Sequence, residues 1–150
     1  MLSPGVPAPP FSLINQHGAA VDLDSFRGRQ VLIFFYPKAN TPGCTQQACG
    51  LRDVAAQVGG TVILGISPDK PVTQKKFDDK FSLGFDLLAD TDHAVAEAFG
   101  VWAEKSLYGK KYMGIVRSAF LVGTDGLVRH PWYKISPVDT PKKLLEVLAR

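Results

Sequence analysis

The sequence predicts an α/β sandwich built on a mixed central β-sheet, and three observations carry that expectation. Short β-type runs alternate with segments of helical period along most of the chain. The run Val31-Leu32-Ile33-Phe34-Phe35-Tyr36 is apolar throughout, as a strand covered on both faces in the middle of a sheet must be. Near the C-terminus, Gly123-Thr124-Asp125-Gly126 separates two further β-type runs as a hairpin turn does, adding antiparallel pairing to a parallel centre.

The elements follow in order. Residues 1–10 hold four of the eleven prolines and no periodicity, so they read as an extended lead-in. Residues 11–14 and 21–23 flank a turn at Asn15-Gln16-His17-Gly18. After the apolar strand at 31–36, Cys44, Ala48, Leu51, Ala55 and Val58 recur at spacings of four and three, which predicts a helix from 42 to about 58. Residues 61–66 form a second buried strand, and the βαβ unit between 31 and 66 requires a right-handed crossover. Pro71 opens a helix to Phe81, because its fixed φ suits the first turn. Asp90-Thr91-Asp92 offers caps for a helix over 93–99 that Gly100 ends. Residues 118–122 and 127–133 form the hairpin, and Thr140-Pro141 caps and starts a last helix with an apolar stripe of Leu144, Leu145 and Leu148.

Composition narrows the function. A chain of 150 residues, 45% hydrophobic and 21% charged, fits one globular domain over 1–150 whose core needs no disulfide or structural metal. Seventeen basic against fourteen acidic residues leave +3, too little and too evenly spread to indicate a nucleic-acid partner. No run approaches the roughly 20 apolar residues of a membrane helix, and the N-terminus shows no secretory pattern. The expectation is therefore a cytoplasmic protein with no membrane partner. In a reducing compartment, two cysteines five residues apart suit redox or metal chemistry better than a structural bridge.

The first of them, Cys44, lies where a buried strand runs through the loop Pro37-Lys38-Ala39-Asn40-Thr41-Pro42-Gly43 into a helix. Unpaired N–H groups and the positive end of the helix dipole there favour a thiolate, the nucleophilic form, so the expected sulfur is ionised and accessible. Thr41 can both donate and accept a hydrogen bond, and Pro42 stiffens the loop and keeps solvent off one side. Cys49 lies one residue off the apolar stripe. In an intact helix residues five apart have Cα atoms about 8–9 Å apart, whereas a disulfide needs less than about 7 Å. If the two cysteines bond, the first turns of the helix must unwind.

Competing readings of the pair are weaker. Two small buried core residues would fit Cys44 on its stripe but not its place at a helix start. A disulfide oxidoreductase wants C-x-x-C, and position 47 holds Gln. Zinc wants about four ligands, and His17, His93 and His130 are scattered singly, so no metal is expected.

The segment Tyr36-Pro37-Lys38-Ala39-Asn40-Thr41-Pro42-Gly43-Cys44-Thr45, with Pro37-x-x-x-Thr41-x-x-Cys44 inside it, resembles the active-site motif of peroxiredoxins, thiol peroxidases on a thioredoxin-like fold. Cys49, then Gly100-Val101-Trp102, Glu104-Lys105, Tyr108-Gly109-Lys110 and Arg117-Ser118-x-Phe120, narrow the resemblance to the bacterioferritin comigratory protein, or Q-type, branch over about residues 11–129. The resemblance implies Cys44 as the peroxidatic cysteine, Thr41 as the hydroxyl that orients the peroxide, Pro42 as a shield, and Arg117 as the cation that holds the thiolate and polarises the peroxide. Cys49 matches the resolving cysteine that some Q-type members carry in the same helix.

The implied activity is reduction of hydrogen peroxide and organic hydroperoxides through a Cys44 sulfenic acid, resolved by Cys49 as an intramolecular disulfide and reset by thioredoxin or a similar dithiol, with no bound cofactor. The implied protein is a monomer. Two alternatives stay open: a one-cysteine peroxidase resolved by an external thiol, and a redox-regulated binding module or holdase whose oxidised helix exposes its apolar stripe. Trp102, Tyr108, Tyr112 and Trp132 beside Lys105, Lys110 and Lys111 read as aromatics covering the sheet edge with solvated lysines, rather than as a stacking surface for single-stranded nucleic acid. No role is assigned to the histidines.

Overall fold

In the computed structural model, which describes residues 1–148, the strands are β1 (Ser12–Asn15), β2 (Ala20–Asp22), β3 (Val31–Phe35), β4 (Val62–Ser67), β5 (Asp86–Ala89), β6 (Trp102–Leu107), β7 (Lys110–Ile115), β8 (Ser118–Val122) and β9 (Val128–Trp132). The helices are α1 (Pro42–Val54), α2 (Pro71–Phe81), α3 (Ala94–Ala98) and α4 (Asp139–Leu148). Seven strands form one sheet in the order β2-β1-β5-β4-β3-β8-β9, with β3, β4 and β5 parallel and the other pairings antiparallel. The mixed α/β sandwich expected from the sequence is the fold observed.

Alternation along β3 divides the core in two. Val31, Ile33 and Phe35 point to one face, where they pack with Leu64, Ile66, Phe99, Phe120 and Val122. Leu32, Phe34 and Tyr36 point to the other, where they meet Ala48 and Leu51 of α1, Phe77 of α2 and Leu144 of α4. Every residue of β3 is buried because β4 and β8 flank it and each face is covered. Cys44 belongs to the layer of α1, α2 and α4.

Several expectations needed correction. Strand β5 lies where the sequence reading passed from one helix straight to the next: its four residues are too few to show a period, and pairing with β4 and β1 creates it. The hairpin of β6 and β7 is likewise a strand pair that the sequence pattern does not show. It stands apart as its own two-stranded sheet, with Tyr108 at its tip 96% exposed, so that aromatic covers no sheet edge. Helix α1 stops at Val54 and continues as a 3-10 turn over Ala55–Gln57. The cap of α4 is Ser136, whose Oγ accepts the Asp139 N–H at 3.1 Å; Thr140 is buried one turn further in.

Candidate active site

Local chemistry places Cys44 before any tertiary contact acts. Proline at position 42 confines the residue before it to extended backbone, and Thr41 has φ −90° and ψ 158°. Proline then takes the first helical position, where its missing N–H is no loss, and Cys44 falls in the first turn. The N–H groups of Gly43 and Cys44 have no carbonyl four residues back within the helix, so this end of α1 carries partial positive charge towards the sulfur. Asn40 takes φ 63° to turn the loop, a conformation that asparagine tolerates better than most residues.

Tertiary structure adds Arg117. It ends the stretch between β7 and β8, and its Nη2 donates to Cys44 Sγ at 3.3 Å. The close approach depends on Gly43, since a Cβ there would lie 3.1 Å from Nη2. Arg117 Nη1 donates to Gln47 Oε1 at 2.8 Å, and Gln47 Nε2 donates to Thr140 Oγ1 at 3.0 Å. Gln47 is fully buried. The guanidinium sets a permanent positive charge beside the sulfur, and charge interactions act more strongly in a dry site than in water. Cys44 is 1% exposed, so the accessible sulfur expected from the sequence is instead roofed over in this conformation.

A second polar chain holds the loop from below. Asp69 Oδ2 accepts the Ala39 N–H at 2.7 Å and the Ser67 hydroxyl at 2.7 Å, while Ser67 Oγ accepts from Gln74 Nε2 at 2.9 Å. The Tyr36 hydroxyl donates to Gln74 Oε1. Burial pushes the Tyr36 phenol far above its ordinary value; hydrogen bonds to Ser67 and Gln74 oppose the shift, and the charges of Asp69 and Cys44 add to it. Tyr36 therefore remains a hydrogen-bond donor.

The sequence pattern of the AhpC/TSA family matches residues 4–131. The chain is 48% identical over 149 residues to the putative peroxiredoxin bcp of Haemophilus influenzae, covering 98% of this chain and 96% of that one. It is 53% identical over 131 residues to peroxiredoxin Bcp of Escherichia coli K12, with 86% and 84% covered. The chain is a peroxiredoxin of the AhpC/TSA family. This peroxiredoxin also superposes on the solved structure of Xanthomonas campestris peroxiredoxin Q with a TM-score of 0.87 at 33% identity, covering 93% and 90% of the two chains. With BcpB of Mycobacterium tuberculosis the TM-score is 0.86 at 34% identity, over 99% and 97%. It is a peroxidase on a thioredoxin fold, as the resemblance implied.

Of the residues singled out in the sequence, the peroxiredoxin brings Cys44 and Arg117 into contact across 73 positions. Thr41 stands at the helix entrance with its hydroxyl donating to Lys38 O at 2.8 Å, and Pro42 is exposed beside it. Cys49 is half-buried on the same unbroken helix, and both thiols are free. Gln47, Thr140 and Asp69 were missed. Gln47 did carry a signal, a polar residue three after Cys44 and four before Leu51 on the apolar stripe, where burial demands a partner. Among the described residues no group of three potential ligands could hold a metal ion, and no helix is long and apolar enough to cross a membrane.

Proposed function

We propose that this peroxiredoxin reduces hydrogen peroxide and organic hydroperoxides in the cytoplasm as a monomer, with Cys44 peroxidatic, Cys49 resolving and thioredoxin as reductant. The observation that carries the reading is the 3.3 Å contact of Arg117 Nη2 with Cys44 Sγ at the start of α1. In the first step the Cys44 thiolate attacks one peroxide oxygen. The S–O bond forms as the O–O bond breaks, and the departing oxygen takes a proton to leave as water or alcohol. Thr41, whose one hydroxyl hydrogen is held by Lys38 O, offers its lone pairs to the peroxide O–H. Arg117 and the free N–H groups of the first turn of α1 stabilise charge spreading over the two oxygens, while Pro42 closes the outer side. Because Cys44 is roofed over, small motions of the loop over 37–43 admit the peroxide.

In the second step the Cys49 thiol condenses with the sulfenic acid, forming the disulfide and releasing water. Both cysteines lie within α1, so this step needs local unwinding. Exchange with the dithiol of thioredoxin then restores both thiols.

The test is mass spectrometry of peptides after one equivalent of peroxide, joined with turnover of Cys49→Ser. The reading expects a Cys44–Cys49 link within one chain, and a variant that oxidises once and then stalls with thioredoxin. Full turnover by Cys49→Ser would instead establish the one-cysteine route. Stoichiometric oxidation that exposes a new binding surface, without catalytic peroxide consumption, would establish the redox-regulated module.

A further inference from the structure

We propose that Thr140 of α4 is a positioning residue for the peroxide step and, through the same hydrogen bond, a latch that retards the resolving step. The inference rests on the reading of Cys44 and Cys49 given above. Thr140 is 1% exposed, and its hydroxyl donates to Ser136 O at 3.0 Å. A hydroxyl has a single hydrogen, so Thr140 can meet Gln47 only as an acceptor. The amide group of Gln47 facing Thr140 must then be the NH2, as found at 3.0 Å, and its carbonyl oxygen is turned to the opposite side. There it accepts from Arg117 Nη1 at 2.8 Å, which leaves Nη2 on Cys44 Sγ. Reversing the Gln47 amide would face two donors against each other at Arg117. The polarity of one hydroxyl on α4 thus fixes the guanidinium against the sulfur.

The segment that carries Thr140 grips Arg117 at both ends. The Ile135 N–H donates to the backbone carbonyl of Arg117 at 2.9 Å, while Thr140 reaches its side chain through Gln47. Gly43 and Gly50 leave room for the fit: a Cβ would lie 3.5 Å from Pro137 Cγ at position 43 and 3.0 Å from Pro141 Cγ at position 50. The start of α4 is seated on the same turns of α1 that hold the two cysteines.

Gln47 lies between Cys44 and Cys49 in the chain, and the turn that contains it must open before the two sulfurs can meet. The Gln47–Thr140 bond therefore speeds one step and slows the next. Loss of the Thr140 hydroxyl weakens the hold on Arg117, and it also lowers the barrier to unwinding. A side chain important only for packing would not move the two rates in opposite directions.

The experiment is rapid chemical quench with mass spectrometry on the full chain, following Cys44 oxidation by hydrogen peroxide and then Cys44–Cys49 disulfide formation in wild type, Thr140→Val and Thr140→Ser. With Thr140→Val, oxidation is expected to slow about 5–10-fold and disulfide formation to quicken by about the same factor, the size of one hydrogen bond in rate terms. Thr140→Ser restores both rates. At high peroxide the sulfenic acid is partitioned between Cys49, giving disulfide and water, and a second peroxide, giving sulfinic acid and water; Thr140→Val shifts that partition towards disulfide. Thr140→Ala carries the same expectation and serves if the valine variant does not fold. Two rates that stay unchanged, or that fall together, overturn the proposal. If Cys44 of the wild type is not oxidised, or never links to Cys49, the peroxidase cycle itself is overturned, and that result is read without any variant.

Discussion

Arg117 shows how much one side chain adds to a site whose helix start is already set. Its Nη2 touches Cys44 Sγ and its Nη1 touches Gln47, so the flat guanidinium faces two partners at once. Arg117→Ala is expected to lower the rate of Cys44 oxidation about 10²–10³-fold, the usual loss for an oxyanion-type donor. Lysine at 117 recovers only part, because one ammonium on a flexible stem cannot keep both contacts. Competition for hydrogen peroxide against a reporter thiol measures both variants; a rate within threefold of wild type for alanine would show that the helix start alone activates the sulfur. Gly43→Ala tests the geometry separately. Its Cβ would be 3.1 Å from Nη2, so the guanidinium must shift, and a loss of about 10–10²-fold in the same assay follows from misplacement of a reacting geometry.

At the scale of elements, the seam between α1 and α4 and the cap of α3 make different demands. Gly50→Ala places a Cβ 3.0 Å from Pro141 Cγ, and the overpacking, about 1–3 kcal/mol, is expected to exceed the roughly 1 kcal/mol that alanine gains over glycine inside a helix, leaving a net loss in urea unfolding. A variant as stable as wild type would mean that α4 gives way freely. In the cap of α3, Asp90 is 1% exposed and accepts the N–H groups of Val95 and Ala96 through separate oxygens. Burial raises its carboxyl above the ordinary range, opposed by those two bonds, with Asp92 adding to the rise and His93 reducing it. Since the folded value is the higher one, the stability contributed is full below the unfolded carboxylate pKa and is lost as pH rises through the raised folded value. The unfolding free energy of wild type relative to Asp90→Asn should therefore fall as pH rises across the acidic range; a difference that grows with pH contradicts the assignment.

Across the whole molecule, the proposed cycle asks one helix, α1, to open over a sheet whose central strands are paired on both sides. The sheet centre has no slack: a Cβ at Gly65 would lie 2.7 Å from Phe34 Cζ and 3.0 Å from Leu87 Cδ2. Gly65→Ala should destabilise by about 1–3 kcal/mol in urea unfolding, whereas a neutral result would show that the layer under α1 yields. The contrast predicts where oxidation acts. Amide exchange in the disulfide form should lose protection over residues 42–49 while β3, β4 and β8 keep theirs, because those strands are paired on both sides in the sheet. Loss of protection spread through the sheet would mean that the disulfide strains the entire fold.

Local rules determined much of this protein from its sequence. The unbroken apolar run of residues 31–36, the proline starts of α1 and α2, and the glycine turn before β9 depend on near neighbours, and each element lies within a few residues of its expected place. Thr41-Pro42 put Cys44 in the first turn of α1 for the same reason. Packing decided the rest. Strand β5 exists because β1 and β4 pair with it, and the exposed hairpin of β6 and β7 has too mixed a pattern to show its strands. Arg117 was one basic residue among seventeen until a family resemblance marked it, and the route from Thr140 through Gln47 to its guanidinium spans α4, α1 and the approach to β8. Such contacts form only when distant segments are brought together, and hydrogen-bond polarity, which no local propensity encodes, is fixed by which donors and acceptors that meeting leaves in reach.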